Sequence, residues 1–349
     1  MDGRRPRRIS SSPRSIHGDS NHASSPSLFE YEALPNQSMY ELHSPSRPSV
    51  ITVRDATVGP ESGTFVVQGT AKSTSLIGTP AARTDVPAKT DGSARFGLDV
   101  RLPGMLFAAV RLSPMLGGAH GELDAKAALA LPGVRKLVPL PALGGSSAGF
   151  AVVAQTTWHA RNGAEAVKVS WSQRAQGALD SRQIEAQLLA ALKSDSGDTF
   201  YEKGSTGSAE ASATRLVQAS YRAPYLAHAT MEPMNCTARV KDGKVEIWAP
   251  TQVPQMARAA AARTAGVDID KVSVHVTLLG GGFGRRLEVD YVAQAVRVAM
   301  ECDGLAVQLA WSREQDTTHD FYRPMHVASL HAAIDAQGAV TSLRIKSAG

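Results

Sequence analysis

Three consecutive glycines inside Gly280-Gly-Gly-Phe-Gly-Arg-Arg286 constrain the fold more than any other stretch of the chain. Neither a helix interior nor a strand interior suits such a run, because each glycine loses more backbone freedom on ordering than any other residue. The run follows an apolar segment, residues 272–279, that reads as a strand. It precedes residues 288–300, where Val289, Val292, Val296 and Met300 form a stripe at helical spacing. The sequence therefore predicts strand, glycine turn and helix in succession, and a chain of mixed α+β class. Consecutive glycines let backbone approach a ligand closely and leave amides free to face an anion at the start of a helix. Arg285 and Arg286 are expected to add positive charge. Local physics leaves a second reading open, a tight turn with solvated arginines. The segment is not a dinucleotide fingerprint. Arg285 stands three residues after Gly282, and Leu287 three after Gly284, where G-x-G-x-x-G needs glycine. It also lacks the Gly-Lys-Ser/Thr end of a P-loop.

The same alternation runs through the rest of the body. Residues 105–112, 134–138, 149–154 and 167–171 read as strands. Residues 122–131 and 156–166 read as helices, so residues 96–171 are predicted to form a compact α+β unit. Asp180-Ser-Arg-Gln183 resembles a capping box opening a helix to residue 193, and 194–212 is polar and rich in Gly and Ser, a connector. Residues 176–212 are thus helix plus connector. A second unit begins near Ala213. It holds a hairpin of 236–240 and 245–248 about Asp242-Gly243, a helix over 253–265, a strand over 307–311 and a closing hairpin of 325–334 and 340–345. Residues 1–50 carry twelve Ser and six Pro without periodicity and are predicted to be a disordered tail. Residues 51–82 read as a linker with a short strand at 64–68.

Composition narrows the function. The formal charge is +5, but Arg4, Arg5, Arg7, Arg8 and Arg14 against Asp2 place most of it in the tail. The remainder is close to neutral, which argues against a nucleic-acid-binding body. Cys236 and Cys302 are too few for a disulfide scaffold, a zinc ribbon or an iron–sulfur cluster held by this chain alone. No apolar run approaches the roughly 18–20 residues needed to span a bilayer, and no apolar stretch follows the N-terminal arginines as a secretory or twin-arginine signal requires. A soluble, cytoplasmic protein is the expectation.

Other motifs are weaker alone. Gly145-Ser-Ser-Ala-Gly149 matches the G-x-S-x-G hydrolase pattern but precedes a strand rather than a helix, so it reads as a loop. His228-Ala-Thr-Met-Glu-Pro233 places a His and a Glu four apart between Pro224 and Pro233, which disfavours a helical metal pair and favours a polar loop. His319-Asp-Phe-Tyr-Arg-Pro324 concentrates polar and aromatic types with no positional partner in view. Thr251-Gln252 either presents an amide to a ligand or caps the following helix.

Taken in order, Arg83-Thr-Asp-Val-Pro-Ala-Lys-Thr-Asp-Gly92, Phe96-Gly-Leu-Asp-Val100, Leu102-Pro-Gly-Met-Leu106, His228-Ala-Thr-Met-Glu-Pro-Met-Asn-Cys236, Trp248-Ala-Pro-Thr-Gln252, the glycine run and the His319 segment form a specific set. Over residues 75–349 the chain resembles the large, molybdenum-binding subunit of the xanthine dehydrogenase/aldehyde oxidase family, of the isoquinoline 1-oxidoreductase beta-subunit type. The resemblance implies a hammerhead-like domain at 83–175 and a truncated first molybdopterin-binding domain at 213–349. It implies a molybdenum–pyranopterin cofactor, as the cytosine dinucleotide, approached by Gln252, Gly280, Gly281, Gly282, Phe283, Gly284 and Arg285, with no side-chain metal ligand. It implies 2Fe-2S clusters on a small partner subunit. The implied reaction is hydroxylation of N-heterocyclic carbon with water-derived oxygen, with aldehyde oxidation, or a non-catalytic remnant, as alternatives. The family's catalytic glutamate is expected beyond Gly349, so no catalytic residue is assigned and residues 1–349 alone are expected to be inactive. For the longer protein the periplasm also stays open. Leu287 stands where purine enzymes carry glutamate, and Arg285-Arg286 replaces Gly-Lys, so a purine substrate is not implied.

Overall fold

The computed structural model describes residues 80–173, 180–194 and 197–349. The chain divides into two compact units, Met1–Thr84 and Asp85–Gly349, and the elements below belong to the second. The tail predicted at 1–50 and the linker as far as residue 79 lie outside the described residues.

The elements run α1 (Val86–Thr90), β1 (Leu106–Leu112), β2 (Ala119–Asp124), α2 (Lys126–Leu129), β3 (Val134–Leu140), β4 (Gly149–Ala154), α3 (Thr157–Ala166) and β5 (Lys168–Ser172). They continue with α4 (Ser181–Lys193), α5 (Thr206–Ala211), β6 (Arg215–Ala223), β7 (Asn235–Lys241), β8 (Lys244–Ala249), α6 (Pro254–Ala265), β9 (Val272–Val276), α7 (Asp290–Ala299), β10 (Val307–Ala310), α8 (Arg313–Thr318), β11 (His326–Ile334) and β12 (Val340–Ala348).

A seven-stranded sheet in the order β3-β4-β1-β10-β7-β8-β9 dominates. Pairing is antiparallel except at β1–β10 and β8–β9. The β1–β10 pair sets Leu106 beside Val307 and Ala109 beside Ala310. One sheet thus draws strands from both stretches that the sequence separates. All six residues of β4 are buried, as expected of a strand covered on both faces. Val152 and Phe150 meet α3 residues Ala160 and Ala164 in one core, while Ala151 and Val153 join the larger core under α6 and α7. Local chemistry sets the helix ends. The Thr156 hydroxyl accepts from His159 N to cap α3, and Asp180 accepts from Arg182 N to cap α4. Helix α6 starts on Pro254 and stops at Gly266, whose φ of 66° is left-handed.

A three-stranded sheet, β12-β11-β6, carries α4 and α5 on one face through Arg222–Glu185 and Arg344–Glu210 ion pairs. Its other face leaves Tyr221, Leu343 and Ile345 exposed.

Several boundaries differ from the sequence reading. Residues 122–124 are not helical but complete β2, where Leu123 pairs with Val169 and Asp124 with Lys168. Cross-strand partners decide there over a helical pattern, and only Lys126–Leu129 coils. The connector 194–212 contains α5, capped by Ser205. The nine-residue β6 was not anticipated, since its partner β11 lies about a hundred residues downstream. The strand after Val272 ends at Val276, and α7 begins only at Asp290, because residues 285–287 form a single 3-10 turn.

Candidate functional site

The glycine run spans the gap between β9 and α7, with its glycines on top of residues 228–232 and 250–252. Gly281 and Gly284 have φ of 99° and 103°, which a side chain rarely adopts. Gly280 is required by space, while Gly282 sits against the movable end of a side chain. A Cβ on Gly280 would lie 2.5 Å from Glu232 Cβ, and one on Gly282 would lie 2.6 Å from Gln252 Oε1. Phe283 and Ala229 are left-handed without being glycine, at φ of 55° and 47°. Each holds strain of order 1–3 kcal/mol that the surrounding packing must offset, a pattern that concentrates at functional sites. Among the described residues the amides of Gly281, Gly282 and Phe283 have no hydrogen-bond partner. They form a row of donors for an anionic or carbonyl-like oxygen.

Three side chains brace that row. Gln252 Oε1 accepts from Gly284 N at 3.2 Å, which leaves its amide nitrogen free for a ligand. Its neighbour Thr251 closes a turn just before α6, its hydroxyl accepting from Val253 N. The helix itself begins at Val253 with no side-chain cap, so of the two readings of Thr251-Gln252 the capping one is not what the structure shows. Glu232 is the hub beneath. Its carboxylate accepts from Gly280 N and Leu98 N, both at 2.9 Å, and its own amide donates to Gly280 O. Arg286 is fully buried. It donates to Gly281 O at 2.8 Å, Pro250 O at 3.2 Å, and Glu232 O at 2.7 Å, with the Glu232 carboxylate at 3.2 Å.

Neither arginine is solvated, and neither adds free charge to the loop surface. This corrects the free or solvated arginines that both readings of the turn assumed. Arg285 is buried, forks onto Asp290 at 3.0 and 2.8 Å, and lies 3.0 Å from Asp320 Oδ1. The Asp320 contact is an ion pair off the hydrogen-bond direction. The guanidinium also stands over the rings of Phe321 and Trp311. Burial alone would lower its pKa, but Asp290, Asp320 and Asp316 more than offset that and raise it. Arg286, with Glu232 as its one carboxylate partner, is pushed down by burial. A carboxylate pair for one and a single carboxylate among carbonyls for the other explain the difference.

The two motifs without partners in the sequence meet here. His228 Nδ1 lies 3.0 Å from both Asp320 carboxylate oxygens, and His228 N donates to the same carboxylate. His228 and Glu232, four apart, diverge to different partners and form no metal pair. His319 faces away, held by Ser113 O and Gln315 O. The Gly145–Gly149 loop has no base beside its serines. Ser146 donates to Leu143 O and accepts from Gln294. Among the described residues no group of three or more His, Cys, Asp or Glu could hold a metal ion. The fit to a cofactor therefore rests on amides and Gln252. Asp290 escaped the sequence reading, and its signal was a carboxylate opening an otherwise apolar helix stripe, four and five residues after the paired arginines.

Glu288 follows the 3-10 turn, and burial, then Asp290, raise its pKa despite Arg285 and His228. Around the loop, Phe283 and Met231 are 76% and 88% exposed.

Comparison with known proteins agrees with this geometry. Residues 192–349 match the molybdopterin cofactor-binding domain family. The isoquinoline 1-oxidoreductase subunit beta of Brevundimonas diminuta is 30% identical over 297 residues, 82% of this chain and 36% of that protein. The aldehyde oxidoreductase molybdenum-binding subunit PaoC of Escherichia coli O157:H7 is 26% identical over 78% of this chain and 40% of its own length. Quinoline 2-oxidoreductase from Pseudomonas putida 86 shares the fold, with a TM-score of 0.59 at 19% identity over 77% of this chain and 39% of that one. The chain spans about a third of the length of the curated relatives that it matches. The matched domain and these relatives together show that the chain belongs to the molybdopterin-binding subunits of the xanthine dehydrogenase/aldehyde oxidoreductase family.

Proposed function

We propose that this chain forms the cofactor-holding part of a molybdenum hydroxylase that introduces water-derived oxygen at carbon of N-heterocycles. The observation that carries it is the row of unpartnered amides at Gly281, Gly282 and Phe283, with Gln252 alongside. When bound, the molybdenum–pyranopterin group supplies the two-electron oxidation and the oxygen transfer. Gly281, Gly282 and Phe283 would hold its oxygens through backbone N–H groups, and Gln252 would add a side-chain donor. Arg285 acts from below, fixing the start of α7 through Asp290. We assign the cofactor as the cytosine dinucleotide form, and the 2Fe-2S clusters to a small partner subunit. Burial and raised pKa values keep Cys236 and Cys302 as neutral thiols, unsuited to cluster ligation. Residues 83–175 are read as the hammerhead-like domain and 213–349 as part of the first molybdopterin-binding domain. Among the described residues no helix is long and apolar enough to cross a membrane.

The likeness to an aldehyde oxidoreductase subunit supports aldehydes as a second substrate class. The test is molybdenum and pterin analysis of the natively produced protein, followed by assays on isoquinoline and on aromatic aldehydes. Stoichiometric molybdopterin with isoquinoline turnover supports the main reading. Aldehyde turnover alone moves the assignment to the second class, and protein free of molybdenum sinks both.

A further inference from the structure

Asp320 is a carboxylate with three claims on it. The Arg285 guanidinium lies 3.0 Å away, the His228 backbone amide donates to it, and His228 Nδ1 sits 3.0 Å from both oxygens. Its side chain is 2% exposed. A carboxylate so placed, beside a buried arginine, is an acceptor. The hydrogen of a neutral His228 ring must then sit on Nδ1, and Nε2 carries the lone pair. That lone pair is not idle in the interior. A Cβ on Gly284 would lie 3.5 Å from His228 Nε2, in van der Waals contact, so this ring edge lies against the glycine loop. No partner for Nε2 occurs among the described residues, and the ring retains 18% exposure. The ring cannot turn away without breaking its contacts to Asp320, and the bond from His228 N to the same carboxylate ties the backbone there.

We propose that His228 is a proton acceptor facing whatever the glycine loop binds, with Asp320 and Arg285 as positioning residues behind it. The inference rests on the cofactor reading of the loop and deepens it. In the step, an O–H or N–H bond of the loop-held ligand or its water breaks, an N–H bond forms at His228 Nε2, and the electron pair stays on the donor atom. The proton then leaves to solvent from the exposed ring edge. No electron is exchanged with the histidine. A carboxylate behind an imidazole stabilises the cation so formed, as in other acid–base dyads.

Two measurements test it. In the full chain labelled with 15N-histidine, the His228 ring is expected as the Nδ1–H tautomer with Nε2 bare, and Asp320→Asn is expected to disturb that preference. An Nε2–H tautomer in the wild type overturns the proposal. In natively produced protein, His228→Gln is expected to keep molybdenum and pterin content while isoquinoline turnover falls about 10²–10⁴-fold at nearly unchanged KM. Turnover within twofold of wild type at equal loading overturns the His228 assignment alone. Lost loading in His228→Gln makes the residue a structural support and also overturns it. If loaded wild-type protein does not turn over, loading must still shift the Nε2 resonance, and an unmoved resonance counts against the proposal. Wild-type protein without molybdopterin overturns the loop reading itself, a different failure.

Discussion

Gly282 shows how much one missing methyl decides. Its backbone is ordinary, yet a Cβ would meet Gln252 Oε1 at 2.6 Å. Gly282→Ala is therefore expected to displace the Gln252 amide and weaken cofactor retention by at least about tenfold, roughly 1.4 kcal/mol. The melting temperature should move little, because the amides of 281–283 hold nothing in the fold. Molybdenum content per chain checks this, and full retention would show that Gln252 has no part in holding the cofactor. The two thiols give a second residue-level test. Burial pushes Cys302 up to about 11 and Cys236 further, so neither is a thiolate at pH 8. A thiol reagent should modify no cysteine in the folded protein and both in denaturant. Glu288 supplies a pH dependence. Its pKa is raised on folding, first by burial and then by Asp290, so the folded state pays for the ionised form. The cost is absent below the unfolded value of 4.5 and complete above the folded one. Glu288→Gln is expected to raise the melting temperature at pH 7, with the gain fading as pH falls towards 4.5. An equal gain at both pH values would assign the effect elsewhere.

Strand β10 is four residues long and wholly buried. It joins β1 by parallel pairing on one side and β7 by antiparallel pairing on the other. Leu309, with no exposure, sits at that junction and packs into the main core. Leu309→Ala should cost about 2–5 kcal/mol by denaturant unfolding. Val276→Ala, on the exposed end of edge strand β9, should stay within about 0.5 kcal/mol. Similar costs at the two sites would misplace the core. Elements with strong local patterns were legible in advance. The α6 helix carries Pro at its start and Gly at its end, and the β7–β8 hairpin carries Asp242-Gly243 in left-handed conformations. Elements whose partners lie far away were not. Residues 122–124 satisfy a helical pattern, yet pair with β5, and β6 has no local signal strong enough to announce a strand that β11 completes.

At the scale of the molecule, the seven-stranded sheet ties residues 106–154 to residues 235–310 through β1 and β10. Strands sharing one ladder and one core open together unless a weak boundary separates them. Native-state hydrogen exchange should therefore give β1, β4, β10 and β7 a common opening free energy. A distinctly lower value for β1 and β4 would mean that the two stretches unfold separately.

By itself the sequence determined the mixed class and the place of the glycine run between a strand and a helix. Those are properties of spacing and backbone freedom, which act over a few residues. Only the tertiary structure decided what the charged residues near the run do. Arg285 and Arg286 look like free cations in the sequence, and they are buried struts because Asp290, Asp320 and Glu232 surround them. His228 and Asp320 are 92 residues apart and meet because β11 and β6 bring their flanking loops together. A charge keeps or loses its reach according to the partners and solvent around it, and that environment exists only once the chain has folded.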